Sequence, residues 1–405
     1  MIKKISSYTL ISIVTSAIGF IATIYITRLL NPSEFAFIGI FSALAYFVTP
    51  IMSFNSVGLV GIKIIDDNKL EYENFISTFI SFVLFNSLIV FTIAIFLSIF
   101  LSKYLILLLL TYFVSLTVIF IIIHNIELIQ KSDIKLFGFY KIFLAFLNIF
   151  FIWIFIKQIG MSWEGRIIGI ILSQIIIIVL MYFISFHSIK FYSFRFDWDS
   201  YKEFYQYGFP LVIGLGATWL MTQLDKFIVL HFFDLENLGY YSLGYTLGMS
   251  FVIINQSMVN AVAPRIYNIL KDRNGKEVIF KYSLYYNIAI ISLVSIAIIA
   301  FYLFGEFILG SKYINSLPIV LLVMIAAAFD GMYRIYGLII NYFKENKLTT
   351  KIDYSIVILN IILSISLIPF LGIMAPAIGT IISYISGFFF ARYFAKIILI
   401  QRGVV

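Results

Sequence analysis

Long apolar runs alternate with short polar interruptions from one end of the chain to the other. Uninterrupted runs lie near residues 7–30, 35–60, 75–101, 104–124, 138–157 and 167–188, then near 208–232, 238–263, 280–304, 314–343, 353–370 and 373–395. Each is close to the roughly 20 residues that a helix needs to cross a hydrocarbon core about 30 Å thick. Backbone groups in lipid must be satisfied within the segment, so the runs predict helices. The pattern is that of an all-α integral membrane protein with about 12 transmembrane helices, one either way. The fifth run is the weakest, because Lys141 and Lys157 leave only a short charge-free centre; the eleventh and twelfth are separated only by Pro369 and a turn from Gly372 to Pro376. The stretch from Ile5 to Thr27 follows a basic start, but it is too long for a cleaved signal and lacks a small-x-small site, so it reads as the first membrane helix.

Composition agrees. Hydrophobic residues make up 62% of the 405 and charged residues only 12%, against roughly 25% charged in soluble domains, which excludes a soluble catalytic domain. The absence of cysteine rules out disulfides and thiolate metal sites. His124, His187 and His231 stand far apart and read as helix-end residues rather than metal ligands, so no metal site is expected. The net charge of +8 is dispersed over short loops, which points to membrane orientation rather than to nucleic acid. Of the 28 lysines and arginines, Lys226 and Arg334 lie within helices; with the N-terminus inside, 21 of the remainder fall in inner segments and 5 in outer ones, at Arg28, Lys103, Lys157, Arg166 and Lys312. That asymmetry predicts cytoplasmic N- and C-termini and an even number of crossings.

Two outer turns resemble each other. LLNPSEFAFIGIF from Leu29 and FFDLENLGYYSLGY from Phe232 each carry an apolar pair, a capping Asn or Asp, an acidic residue, and a small residue before aromatics. Matching Asn31 to Asp234 gives an offset of 203 residues, half the chain. Six helices then repeat as six in parallel, related by a pseudo-two-fold axis along the membrane normal. The expected lobes are residues 1–200 and 201–405.

The run from Arg28 to Phe37, RLLNPSEFAF, resembles the turn after the first helix in polysaccharide flippases, the O-antigen translocases or Wzx-type proteins of the multidrug/oligosaccharidyl-lipid/polysaccharide exporter superfamily, with Ala36 in place of the customary glycine. The segment from Phe209 to Tyr241 resembles the same family: a proline opens the seventh helix, an aspartate lies well inside it, and Gly-Tyr-Tyr enters the eighth. The resemblance implies two six-helix lobes around a central cavity, in a non-enzymatic transporter of the bacterial cytoplasmic membrane. It implies a lipid-linked oligosaccharide as cargo, for O-antigen, capsule or exopolysaccharide synthesis. The implied partners are membrane lipids, a polysaccharide polymerase and a chain-length regulator.

Ionisable groups at membrane depth cost about 2.5–3.5 kcal/mol each on insertion scales, and they face a wet cavity or a partner. Asp225 and Lys226 lie about 17 residues along the seventh helix, or roughly 26 Å at 1.5 Å per residue. Asp330 and Arg334 are four apart on the tenth helix and share a face, so they can pair. Lys226 and Arg334, with Arg28 at the outer mouth, would give the cavity a positive field for a pyrophosphate; the alternative is mutual neutralisation of Asp330 and Arg334. Asp225 or Asp330 is also a candidate for a coupling proton or sodium ion, the only cofactor expected. Among amides at depth, which include Asn55, Asn148, Gln256, Asn260 and Asn360, Gln223 and Asn255 are the first candidates for sugar hydroxyls, and most others are expected to join helices.

Three other readings are weaker. A multidrug exporter of the same superfamily would be expected to have an acidic, aromatic cavity, whereas the four charges singled out here are two cations and two anions. A polysaccharide polymerase typically carries a large outer loop, and none is predicted. Asp197-Trp198-Asp199 spells D-x-D, a metal-holding pattern of nucleotide-sugar transferases, but it stands in a short loop and reads as solvated.

Overall fold

The fold comes from a computed structural model that describes residues 2–66, 68–184, 195–271 and 276–403. Among the described residues there are helices and turns but no strand. The chain runs α1 (Ile2–Leu29), α2 (Pro32–Met52), α3 (Gly58–Asp66), α4 (Lys69–Phe100), α5 (Leu105–Gln130), α6 (Ile134–Ile152), α7 (Trp163–Ile184) and α8 (Trp198–Phe232). It continues through α9 (Leu235–Met249), α10 (Phe251–Lys271), α11 (Lys276–Leu309), α12 (Leu317–Tyr342), α13 (Asn346–Ser366), the single turn α14 (Ile368–Leu371) and α15 (Ala375–Gln401). Among the described residues, eleven helical segments are long and apolar enough to cross a membrane. The expected crossing at 208–232 is not one of them, although it forms part of a 35-residue helix, α8. Gln223, Asp225, Lys226 and His231 dilute its apolar content. His187, Lys190 and Arg273 lie outside the described residues.

Several boundaries differ from the sequence reading for local reasons. The run at 35–60 is broken: α2 ends at Met52 after Pro50, and Phe54 and Asn55 take left-handed conformations at φ 48° and 52° before α3 begins. Asn55 N–H closes the end of α2 by donating to Pro50 O at 2.7 Å. The run at 238–263 is divided at Ser250 into α9 and α10. Arg166, expected in an outer turn, stands in the first turns of α7, which starts four residues before the apolar run it was judged by.

The chain forms two compact units, Met1–Leu30 with Phe37–Trp219 and Asn31–Ala36 with Leu220–Val405; the division falls inside α8. In the first unit, Phe79 and Phe82 of α4 pack edge-on against Phe204 of α8, with centroids 5.3 and 5.1 Å apart. Ser56 Oγ donates to Phe204 O at 2.8 Å, and Gly208 lies directly beneath Phe54 O, which ties the break after α2 to α8. A second core joins α5, α6 and α7 through Ile121, Leu128, Phe137, Tyr140, Leu147, Ile177 and Met181.

In the second unit α12 is the central helix, packed by α9, α10, α11 and α15, while α13 packs on α15. Close approach follows from small residues. Gly244 and Gly248 of α9 sit under Ile319 and Val323 of α12, where a methyl group would lie 2.7 and 2.6 Å from the nearest side-chain atoms. The first turn of α2 belongs to this unit: Pro32 O covers Gly239, Lys312 Nζ donates to Asn31 Oδ1 at 3.1 Å, and Phe35 meets Tyr313 edge-on at 5.9 Å. The two resembling turns are thus both helix starts, closed by Glu34 on Asn31 N–H at 2.8 Å and by Asp234 on Asn237 N–H at 2.8 Å.

Candidate functional site

The second unit buries a carboxylate among neutral oxygens. Asp225, on α8, is 1% exposed. Its Oδ2 accepts from Tyr241 Oη of α9 at 2.9 Å, and Thr380 Oγ1 of α15 lies 3.1 Å from the same atom. Its Oδ1 is 3.4 Å from Ser364 Oγ of α13. Asn360 completes the ring: in the amide orientation that satisfies both groups, its nitrogen donates to Asp225 Oδ1 at 3.3 Å and its oxygen accepts from Thr380 Oγ1 at 3.0 Å. Thr380 Oγ1 also lies 2.8 Å from Pro376 O, and its single proton serves one of these acceptors at a time.

Each member of the ring has a local cause. Asn360 and Ser364 are one turn apart on α13, as are Pro376 and Thr380 on α15, so each helix offers two oxygens to one height. Tyr241 belongs to the Gly-Tyr-Tyr that enters α9, and Gly239 lets that helix approach Pro32 closely.

Lys226, 4% exposed, does not pair with Asp225 in a hydrogen bond; its Nζ donates to Gln223 Oε1 at 2.8 Å and lies 5.9 Å from the Tyr245 ring centroid. Adjacent helix residues point about 100° apart, which separates the two.

The second group is built on α12. Arg334 Nε and Nη2 donate to Asp330 Oδ2 and Oδ1 at 2.7 and 3.0 Å, the expected pair in a two-pronged geometry. Arg334 Nη1 reaches Gln256 Oε1 of α10 at 2.9 Å, and Gln256 Nε2 donates to Asn260 Oδ1 at 3.0 Å. Asp330 is buried, whereas the Arg334 side chain is 33% exposed and Gln256 and Asn260 are exposed. A hydrogen-bonded polar line therefore joins α12 to α10. Asn255 stands beside it but is fully buried: its Nδ2 donates to Ala327 O at 2.7 Å, and Gly331 packs on its amide. Asn255 thus joins α10 to α12, while Gln256 holds the exposed position. Gln223 is half-buried and serves Lys226. Arg28 is exposed in the last turn of α1, in the first unit.

Two polar groups in the first unit escaped the sequence reading. His124 Nδ1 lies 3.4 Å from Glu127 Oε2, and Tyr72 Oη donates to Glu127 Oε1 at 2.6 Å, so His124 is a buried neighbour of a carboxylate rather than a helix-end residue. The i, i+3 spacing was the available signal. Arg166 Nη1 donates to Asn148 Oδ1 of α6 at 3.1 Å. The first D-x-D aspartate caps α8: Asp197 accepts from Ser200 Oγ at 2.5 Å and from Asp199 N–H at 3.3 Å. The Ser200 hydroxyl holds the Asp197 carboxyl below the usual range. Among the described residues no group of three His, Cys, Asp or Glu side chains is arranged to hold a metal ion.

A family profile described as "Polysaccharide biosynthesis protein" matches residues 25–318. "Lsg locus putative protein 1" of Haemophilus influenzae is 26% identical over 195 residues, which span 46% of this chain and 48% of that protein. The match thus covers about half the length of that relative. Among solved structures, the lipid II flippase MurJ superposes with a TM-score of 0.72 at 15% identity, over 96% of this chain and 87% of MurJ. A multidrug resistance MATE family transporter of the MOP superfamily superposes with a TM-score of 0.71 at 12% identity, over 96% of both chains. These structural likenesses show the fold.

Proposed function

Because the chain belongs to the family of polysaccharide biosynthesis proteins and carries a MOP-superfamily transporter fold, we propose that it is a flippase for polyprenyl-pyrophosphate-linked oligosaccharide repeat units. It works by alternating access across the bacterial cytoplasmic membrane and performs no covalent chemistry. The observation that carries this reading is the line from the partly exposed Arg334 to the exposed Gln256 and Asn260. Polar side chains at membrane depth are retained where water or cargo meets them. Asp330 takes the Nε and Nη2 donors on one edge of the guanidinium and Gln256 takes one Nη1 donor, which fixes the plane and leaves one N–H on each of Nη1 and Nη2 for an anionic cargo. The amides beside it suit sugar hydroxyls. O-antigen, capsule and exopolysaccharide units all present this chemistry.

Coupling is assigned to Asp225. An ionised carboxylate buried without an ion-pair partner costs several kcal/mol, and hydroxyl and amide donors offset only part of that. A proton or a sodium ion supplies the missing positive charge. The donor set fits a hard cation, which takes carboxylate, hydroxyl, amide and carbonyl oxygens: Asp225, Thr380, Ser364, Asn360 and Pro376 O present them from three helices.

The test is charge reversal at the partly exposed Arg334. In a host lacking its own flippase for a defined surface polymer, Arg334→Glu is expected to abolish surface polymer and to accumulate the lipid-linked unit inside, with normal abundance in the membrane. Wild-type polymer from that variant refutes the anionic-cargo assignment. Efflux of cationic dyes by the native protein, with no effect on polymer, would instead mark a drug exporter.

A further inference from the structure

On the face of the second unit formed by α11, α12 and α15 lies a cavity of about 290 Å³, lined by Phe280, Lys281, Leu284, Asn287, Tyr336 and Arg392. None of these residues belongs to the Asp225 or Arg334 groups. Lys281 and Arg392 are both exposed, and among the described residues neither forms an ion pair. Lys281 rests 6.0 Å from the Tyr285 ring centroid. Two cations without an ion-pair partner among the described residues therefore stand at one opening.

The floor is polar and buried. Asn287 is 8% exposed and Tyr336 2%. Asn287 Nδ2 reaches Tyr336 Oη at 3.5 Å, while Asn287 Oδ1 has no hydrogen-bond partner. A buried acceptor left unpaired costs about 1–3 kcal/mol, so a group with a hydroxyl to donate is favoured there.

The surroundings are apolar and open. Leu284, Ile288 and Ile291 of α11 and Phe389 and Tyr393 of α15 are each at least half exposed, in helices that are candidate membrane spans. Acyl chains fit such a surface. Lys281 lies in the first two turns of α11 and Arg392 in the C-terminal half of α15, the ends at which the distribution of basic residues places the cytoplasmic leaflet. Basic pockets between helices on that side suit anionic headgroups.

We propose that this pocket binds the headgroup of phosphatidylglycerol: the phosphate between Lys281 and Arg392, the glycerol hydroxyls toward Asn287 and Tyr336, and the chains along α11 and α15. Phosphate answers the two cations, and the glycerol hydroxyls answer the unpaired Asn287 oxygen. The site shares no residue with the cargo and coupling groups, so it stands or falls independently of the flippase reading.

Native mass spectrometry of the purified protein in micelles doped with phosphatidylglycerol or phosphatidylcholine tests it. The full chain is expected to retain one phosphatidylglycerol in preference to phosphatidylcholine. Lys281→Ala with Arg392→Ala should lower that retention about tenfold or more. Lys281→Arg with Arg392→Lys, which keeps both charges, should preserve it, as should Lys347→Ala, an exposed cation of α13. Equal retention of the two lipids overturns the proposal, as does retention by the doubly neutralised protein or its loss from the charge-preserving pair. Displacement of the lipid by excess inorganic phosphate would show a site for free anions and also overturns it.

Discussion

Tyr241 donates its phenolic hydrogen to Asp225 at 2.9 Å, which joins the entry of α9 to the last third of α8 at a carboxylate that two further helices also touch. The tyrosine brings a donor and no charge. The same is true of Thr380, Ser364 and Asn360, so this part of the fold is arranged around a carboxyl group that takes no hydrogen bond from a protein cation.

Asp225→Asn is expected to leave the protein folded and in the membrane while abolishing transport, because an amide keeps the hydrogen-bonding shape and carries no titratable charge. Thr380→Val, which removes one oxygen of the ring, should lower transport several-fold and raise the cation concentration needed for half-maximal activity. Flux into vesicles under imposed proton or sodium gradients reads both. Normal gradient-driven flux in Asp225→Asn would remove Asp225 from coupling.

Gln256→Leu and Asn255→Leu should part company. Gln256 is exposed and touches Arg334, so its loss is expected to weaken transport by raising KM with little change in thermal stability. Asn255 is buried between α10 and α12, so its loss should lower Tm, with a cost of about 1 kcal/mol for the hydrogen bond to Ala327 O. Thermal unfolding in detergent beside a transport assay separates the two, and identical profiles would contradict these placements.

Gly239→Ala and Gly208→Ala should each destabilise by about 1–3 kcal/mol through overpacking, since the added methyl would lie 1.9 Å from the carbonyl oxygen of Pro32 or Phe54 respectively. Gly337→Ala is the control. No atom lies within 4 Å of its added carbon, and alanine is favoured over glycine in a helix by roughly 0.5–1 kcal/mol. Tm should fall for the first two and hold or rise for the third.

Asp197→Ala removes the side-chain cap of α8 and should lower Tm slightly without affecting transport. The capping contribution follows the charge. Ser200 lowers the folded-state pKa of Asp197, so the stabilisation is present above the ordinary carboxyl range and is lost as pH falls through the lowered value. Manganese-dependent sugar transfer that disappears in this variant would reopen the enzyme reading.

Tyr72→Phe should weaken the hold on Glu127 by about 1 kcal/mol, the net worth of one hydrogen bond. The loss is expected in unfolding curves of the protein in micelles. An unchanged curve would mean that His124 alone positions the carboxylate.

What the chain determined unaided is local. Apolar runs of crossing length gave the helices, because lipid demands that each segment satisfy its own backbone, and most of the predicted runs match observed helices. The Asp330–Arg334 pair was legible for the same reason: residues four apart on one helix meet whatever else surrounds them. The break after α2 was missed although Pro50 marked it, because the apolar run continues through a segment whose backbone leaves the helix.

The tertiary structure decided everything that depends on which way a helix is turned. Asn255 and Gln256 are adjacent amides, and only the packing of α10 on α12 buries one and exposes the other. The Asp225 ring draws on four helices spread over more than 150 residues, and the Lys281–Arg392 pocket on helices over 100 residues apart. Hydrophobicity places a residue at a depth in the membrane, whereas its partners follow from rotation about the helix axis, which side-chain packing fixes.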